Sequence, residues 1–365
     1  MNSHNTSMSR QNKILCVFRQ NMLCKKKSRQ KNNRLGKIIS RRRACIQNRN
    51  CLNMLCKKNI FPLNISFGAN THDGNERYME DFVVAQENNN VVVFAIFDGH
   101  KGDDVSKMCA QMLPSVINLP NKKIIPALDD IAVKSNLKGG STALVIIINK
   151  KKKIIQVSRV GDSEAIYFSL KEGSTFKDCK ELAKCNHAPD SLDEFNRLKR
   201  DFPGKEFNLV YANTRCIKPQ KPAFVQDETG KWITNPEGGH NIADVNGGWG
   251  SYFEDDNGIG RATTRSVGNI AFKKIGMIST PSTEKIQINA GDNGVIVMGS
   301  DGLFDGFKRE EIYAIVTHPD LVGNGPAASQ ALLEAALSTT QKRFGSFVVD
   351  NISVIVNYVK AENNA

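Results

Sequence analysis

Acidic residues stand at the ends of four apolar runs. Val93-Phe94-Ala95-Ile96-Phe97 leads into Asp98-Gly99-His100, and Val295-Ile296-Val297-Met298-Gly299-Ser300 leads into Asp301-Gly302. Glu80-Asp81 precedes Phe82-Val83-Val84, and Asp350-Asn351 precedes a run starting at Ile352. An isolated Asp-Gly is ordinarily a turn. Several carboxylates at strand ends read differently, because strands fix such ends in space and converging carboxylates repel one another without a cation. Oxygen-only ligands suit Mg²⁺ or Mn²⁺ rather than zinc. Two such ions, about 3.5–4 Å apart, polarise a phosphoryl group and deliver a bridging hydroxide in line.

The elements that must position these groups are short. Val91–Phe97 reads as a buried strand. Residues 142–148, 154–159 and 164–168 read as an antiparallel meander, with 149–153 as its first turn. Strands are also expected at 294–298 and 352–358, and helices at 103–117, 191–200, Arg309–Val316 and 326–344. Strands in sequential runs, with helices between the blocks, predict an α+β fold rather than alternating βαβ units. Residues 202–260 are rich in Gly, Asn, Pro and Asp and read as a long functional loop with little regular structure. They hold Trp232 and Trp249, the only tryptophans, which are expected to pack rather than to bind.

With these landmarks in place, the sequence resembles the metal-dependent protein phosphatases of type 2C. The motifs, in that family's order, are Met79-Glu80-Asp81, Phe97-Asp98-Gly99-His100, Gly140-Ser141-Thr142-Ala143 and Val160-Gly161-Asp162-Ser163. They continue with Thr264-Arg265-Ser266-Val267-Gly268, Ser300-Asp301-Gly302-Leu303-Phe304-Asp305 and Asp350-Asn351-Ile352-Ser353-Val354. Each is weak alone; the ordered set is specific. The resemblance implies an αββα sandwich of two antiparallel sheets flanked by helices, spanning 59–361. It implies a phosphoserine/phosphothreonine phosphatase that uses metal-activated water on a phosphoprotein. A monomer is expected. Asp98 would bridge two ions, the Gly99 carbonyl and Asp301 and Asp350 would ligate, and Glu80 and Asp81 would hold metal directly or through water. His100 would be the general acid for the leaving alcohol, a role that supplies roughly 10²–10⁴-fold. Gly140-Ser141-Thr142-Ala143 and Gly161-Asp162-Ser163 are expected to shape the fold, Asp162 as a turn residue and Asp305 as a helix-entry cap. Ser141 has no recognisable His/Asp partners, so a serine nucleophile is not expected.

Four positions depart from the family pattern. Glu76 stands where the family has a phosphate-gripping Arg, and Arg77 follows one residue later. In a strand, that shift would send the side chain to the other face. Asn186-His187 replaces an Asp-His associated with a third metal, and Gly268-Asn269 replaces Gly-Asp. Lys101 replaces a glycine and reads as a solvated lysine, with a phosphate contact as the other reading. Asp98, Asp301, Asp350 and one of Glu80 or Asp81 balance two divalent cations. The third site lacks two charges at Asn186 and Asn269, and hard-cation affinity falls with ligand charge. The alternative to an enzyme is therefore a weakened or inactive member that acts as a binding or regulatory module.

The 365 residues carry a formal charge of +13, with 50 Lys+Arg against 37 Asp+Glu. Sixteen of the basic residues and no acidic ones lie in 1–58, so the remainder is slightly acidic. The basic extension is expected to be disordered and open to an acidic partner, nucleic acid or an anionic membrane. Met54 is a candidate alternative start. Nine cysteines without a Cys-x-x-Cys pair or a secretory leader point to an intracellular, reducing compartment, cytoplasmic or nuclear. An apolar fraction of 40% and 24% charged residues exclude a wholly disordered chain.

Overall fold

The computed structural model describes residues 61–213, 221–237, 249–255, 257–344 and 349–363. The chain divides into Met1–Lys58 and Asn59–Ala365. The first unit, and the disorder and partner expected for it, lies outside the described residues.

In chain order the strands begin with β1 (Leu63–His72), β2 (Phe82–Glu87), β3 (Val91–Phe97), β4 (Gly99–His100) and β5 (Gly140–Ser141). Then come β6 (Ala143–Asn149), β7 (Ile154–Val160), β8 (Glu164–Ser169), β9 (Lys180–Glu181), β10 (Asn208–Asn213), β11 (Lys221–Pro222) and β12 (Phe224–Gln226). The last are β13 (Trp232–Thr234), β14 (Trp249–Glu254), β15 (Gly260–Arg261), β16 (Val267–Gly268), β17 (Ser282–Gln287), β18 (Asn293–Gly299) and β19 (Ile352–Ala361). The helices are α1 (Asp104–Val116), α2 (Asn121–Lys134), α3 (Leu192–Asp201), α4 (Ile270–Lys273), α5 (Asp301–Phe304), α6 (Arg309–Val316) and α7 (Gly325–Phe344).

Two five-stranded antiparallel sheets form the centre, in the orders β1-β19-β18-β8-β9 and β17-β7-β6-β3-β2. Alternation along each strand builds the layers. Phe94 and Ile96 of β3 face Ile296 and Met298 of β18 across the sandwich, and Phe67 meets Phe94 edge-on at 5.1 Å. The intervening residues, Val93, Ala95 and Phe97, pack outward on α1 and α2. Val295 and Val297 do the same on α6 and α7. The result is the expected αββα arrangement.

Two expectations are corrected. Residues 202–260 are not structureless: β10, β11 and β14 pair, β12 pairs with β13, and Phe195, Leu209, Tyr211, Phe224 and Phe253 form a small core of their own. The strands are too brief for their periodicity to be read. Trp232 does pack, edge-on to Phe195 at 5.3 Å, though it stays 40% exposed. The side chain of Trp249 lies outside the described residues. Second, α2 is a helix not among those expected from the sequence, and it forms despite Pro126 in its interior. Burial of Ile124, Ile125, Leu128 and Ala132 outweighs that cost.

Candidate metal centre and the groove around His100

The topology brings carboxylates together from both sheets. Asp98 leaves the end of β3, Asp301 leaves the end of β18, and Asp162 sits on the β7–β8 link that carries the chain from one sheet to the other. One carboxylate oxygen from each lies within 4.8 Å of the others. Asp162 is thus a member of the cluster as well as a turn residue, which corrects the sequence expectation. Its signal was present: Gly161-Asp162-Ser163 is one more acidic turn after an apolar strand. Asp305 is not a helix-entry cap. It closes the C-terminal end of α5, its N–H donating to the Asp301 carbonyl at 2.8 Å.

Glu76, Arg77, Tyr78, Glu80, Asp81, Asp98, Gly99, Asp350 and Asn351 line a cleft of about 120 Å³. Burial, then the charges of Asp301, Asp81, Asp162 and Asp350, push the Asp98 carboxyl well above the usual range. Asp301 is raised in the same way by burial and by Asp162 and Asp350. Asp81 is pushed up to about 7 by burial, with Asp350 and Glu80 adding to it. Its Oδ2 is buried without a hydrogen-bond partner. Clustered carboxylates that repel one another, one with an orphaned oxygen, form an all-oxygen donor set that fits a hard divalent cation.

The loop from 73 to 81 has no strand, so the alternation argument against Arg77 does not apply. Glu76 and Arg77 both line the cleft. Arg77 lies 5.2 Å from the Tyr78 ring and makes no ion pair among the described residues. Asn351 holds the loop. Its Oδ1 accepts the Glu80 N–H at 2.7 Å, and its Nδ2 donates to the Asp73 and Tyr78 carbonyls at 3.0 and 3.3 Å. Glu80 Oε1 accepts from Gly102 N at 2.8 Å. Thr142 ties β6 to the site, its Oγ1 accepting from Asp98 N at 3.1 Å. Ser141 is buried, its hydroxyl spent on the Thr142 carbonyl, as expected of a residue that shapes the fold.

His100 meets Asn269 through a three-stranded ladder, β4-β5-β16, in which His100 opposes Gly140 and Gly140 opposes Gly268. A side chain at Gly140 would run into the Asn269 amide and lie 2.6 Å from His100 Nε2. Asn269 takes a left-handed backbone (φ 52°) and is buried. Its Oδ1 accepts from Arg261 Nε at 3.2 Å. Arg Nε–H is only ever a donor, so the amide orientation is fixed and Nδ2 points at His100 Nε2, 2.6 Å away. Nε2 is therefore the acceptor, and the neutral ring carries its proton on Nδ1. Burial, then Arg261 and Lys101, hold this imidazole down at about 4.

The two residues expected at a third metal position each have local partners. Asn186 is absent from the cleft lining, and its Oδ1 accepts from Ala188 N at 3.1 Å in a turn. Asn269 is occupied with His100, Ser266 and Arg261.

The fold and these residues agree with what the chain is similar to. It belongs to the protein phosphatase 2C family, whose sequence profile it matches over residues 65–217 and 246–342. It is 27% identical over 295 residues to a probable protein phosphatase 2C 28 of Arabidopsis thaliana, covering 76% of this chain and 68% of that protein. It is 23% identical over 300 residues to the mitochondrial protein phosphatase 1K of Xenopus laevis, covering 77% and 66%. Among solved structures, it matches a serine-threonine phosphatase 2C from Toxoplasma gondii with a TM-score of 0.56 at 16% identity, covering 83% of this chain and 97% of that one. A C. elegans sex-determining protein matches with a TM-score of 0.55 at 20% identity, covering 81% and 65%. At these identities the structural likeness concerns the fold. The chain spans about two thirds of the length of these two relatives.

Proposed function

We propose that this protein is a metal-dependent phosphatase that removes phosphate from phosphoserine and phosphothreonine in protein substrates. The reading is carried by the meeting of Asp98, Asp162 and Asp301 beneath a cleft that also contains Asp81 and Asp350. Asp98, Asp301, Asp350, Glu80, Asp81 and the Gly99 carbonyl would hold two Mn²⁺ or Mg²⁺ ions, with Asp162 as a further oxygen donor and the third position weak. Bound there, the ions supply Lewis acidity toward phosphoryl oxygen and lower the pKa of water.

The chain's own groups do the rest. Arg77, free of ion pairs among the described residues, offers a planar fork that suits phosphate at the cleft mouth. The neutral His100 ring would offer the leaving alcohol its Nδ1 proton, while Nε2, which accepts from Asn269, has none to give until it leaves that contact and takes one from solvent. The β3 and β18 ends fix the carboxylates before substrate arrives, which keeps the reorganisation cost low.

A second reading is a binding or regulatory module with weakened or no turnover. Two observations favour it: Glu76 brings a carboxylate into the cleft where phosphate would sit, and Asn269 blocks His100 Nε2. The separating experiment is turnover of a phosphothreonine peptide by the full chain as Mn²⁺ is titrated into the millimolar range. Rates above an Asp98→Asn control support the enzyme. Rates equal to that control at every concentration leave the binding module. For residues 1–58 we propose an acidic partner, nucleic acid or an anionic membrane. A chain that begins at Met54 should lose that binding, and the full chain should lose it steeply with salt.

A further inference from the structure

A second groove, of about 310 Å³, is lined in part by Asn269. Its lining includes Lys101, Lys138, Arg261, Asp255 and Asn269. The three cations come from three separate segments that are locked together at this point. Lys101 follows His100 directly and has a left-handed backbone (φ 61°), a conformation unfavourable for a lysine. Lys138 precedes Gly139, whose carbonyl accepts from Asn269 N at 2.8 Å. A side chain at Gly139 would lie 2.6 Å from the His100 carbonyl and 2.8 Å from that of Lys101, so the two lysine-bearing loops touch through backbone. Arg261 is clamped by Nε on Asn269 and by Nη1 on the Gly260 carbonyl at 2.7 Å, with its guanidinium over the Phe272 ring at 5.0 Å. Its Nη2 has no hydrogen-bond partner among the described residues.

None of the three cations is in a salt bridge among the described residues. Asp255, the one carboxylate among the described lining residues, accepts at Oδ1 from the N–H groups of Asn257 and Ile259 at 2.9 Å each, and its charge also reaches Arg261 and Lys101. Three cations around one concavity, against a single self-capped carboxylate, make a positive field beside a strongly acidic cleft. Three cations on one lining against one described carboxylate leave a net positive charge that an anion would balance. The rigid Arg261 fork and the two flexible lysines match a phosphate group.

We propose that this groove binds a second phosphate of a multiply phosphorylated peptide whose first phosphate occupies the Asp98–Asp301 cleft. As a statement about substrate, this rests on the phosphatase reading above. Asn269 lines the groove and bonds His100, which directly follows Asp98 and Gly99 of the cleft, so the two sites are carried by adjoining residues.

The test uses fluorescence anisotropy with the full chain in Mn²⁺. Its probes are labelled peptides that carry one phosphothreonine, alone or with a phosphoserine at graded spacings on either side. At the favoured spacing the doubly phosphorylated peptide should bind about tenfold tighter, and the advantage should shrink with salt. Lys138→Glu and, as a second variant, Lys101→Gln should abolish that advantage while the singly phosphorylated peptide binds as before. Both side chains are exposed, and thermal melts verify that the variants fold. The basic extension is the same in all proteins, so its attraction cancels. Adding inorganic phosphate to the singly phosphorylated peptide distinguishes a linked phosphate from a free one: tightening equal to that of the linked phosphate overturns the proposal. An advantage that is missing, or that survives in both variants, also overturns it. Turnover of the same peptides separates the two readings. Hydrolysis without a groove-dependent preference keeps the phosphatase and removes the groove. A groove-dependent preference without hydrolysis keeps the groove and removes the phosphatase.

Discussion

The amide of Asn269 decides what His100 has to offer. Arg261 fixes which way the amide points, and the amide in turn leaves Nε2 without a proton. A carboxylate at 269 would accept a proton from Nε2 instead. Asn269→Asp should therefore raise the His100 pKa from about 4 by about 1–3 pH units. The direct measurement is the imidazole titration by NMR in cation-free protein, and an unmoved midpoint refutes the account. Glu76 acts on the same cleft by charge alone. Glu76→Gln should lower KM for a phosphopeptide by about three- to tenfold and leave kcat unchanged. A change in kcat instead would mean that Glu76 does more than repel. The carboxylates Asp98, Asp301 and Asp350 were legible because each adjoins an apolar run. The His100–Asn269 contact was not, since 169 positions separate the two and neither spacing nor composition signals a meeting.

The loop bearing Glu76, Arg77, Glu80 and Asp81 has no ladder of its own, and Asn351 stands in for one. One side chain satisfies three backbone groups spread from Asp73 to Glu80. Asn351→Ala should cost about 2–4 kcal/mol in urea unfolding, because it leaves these groups unpaired. It should also weaken Mn²⁺ binding by releasing the loop, as seen by titrating the cation against thermal stability. An unaltered Mn²⁺ response would show that the loop holds its shape without the amide. In the sequence Asp350-Asn351 stood out for its carboxylate, and only the fold reveals what the amide does. The long strands and amphipathic helices were readable because their patterns repeat over several turns or pleats. The strands between 202 and 260 lie among Gly, Asn and Pro residues, several are only two or three residues long, and they are held by contacts with α3 and α4.

Across the whole molecule, a buried polar network joins the region of α3 to the strands. Arg265 bonds Glu194, Glu194 also accepts from Arg197 Nε and Thr264 Oγ1, and the His187 carbonyl accepts from Thr264 N and Oγ1. Burial would raise the Glu194 carboxyl, but Arg265, Arg197 and Thr264 outweigh it and hold it down at about 2. Burial and the Arg265 charge hold His187 down at about 3, neutral, with Nδ1 accepting from Gly161 N at 3.2 Å. Both pKa values are lower in the folded state, so the unfolded chain takes up protons first as pH falls. The contribution of these two groups should be full above pH 6.5 and should fall as pH drops from there, first through His187 and then, below 4.5, through Glu194, with His100 adding to the loss and the raised Asp81, Asp98 and Asp301 carboxyls opposing it. Urea unfolding at a series of pH values tests this. His187→Phe should flatten the slope just below pH 6.5, and an unchanged slope there would assign it to other groups.

The sequence by itself determined the family, the layered α+β architecture and most of the carboxylates. Those rest on local patterns: alternation, helical periodicity and acidic turns at strand ends. Tertiary structure decided which groups share a site. It added Asp162, because the β7–β8 link crosses between the sheets where Asp98 and Asp301 end. It turned Asn269 toward His100, left Asn186 in a turn of its own, and gathered Lys101, Lys138 and Arg261 around one groove. Each of those outcomes depends on which strands pair and where their ends meet, and that is set by packing between residues far apart in the chain.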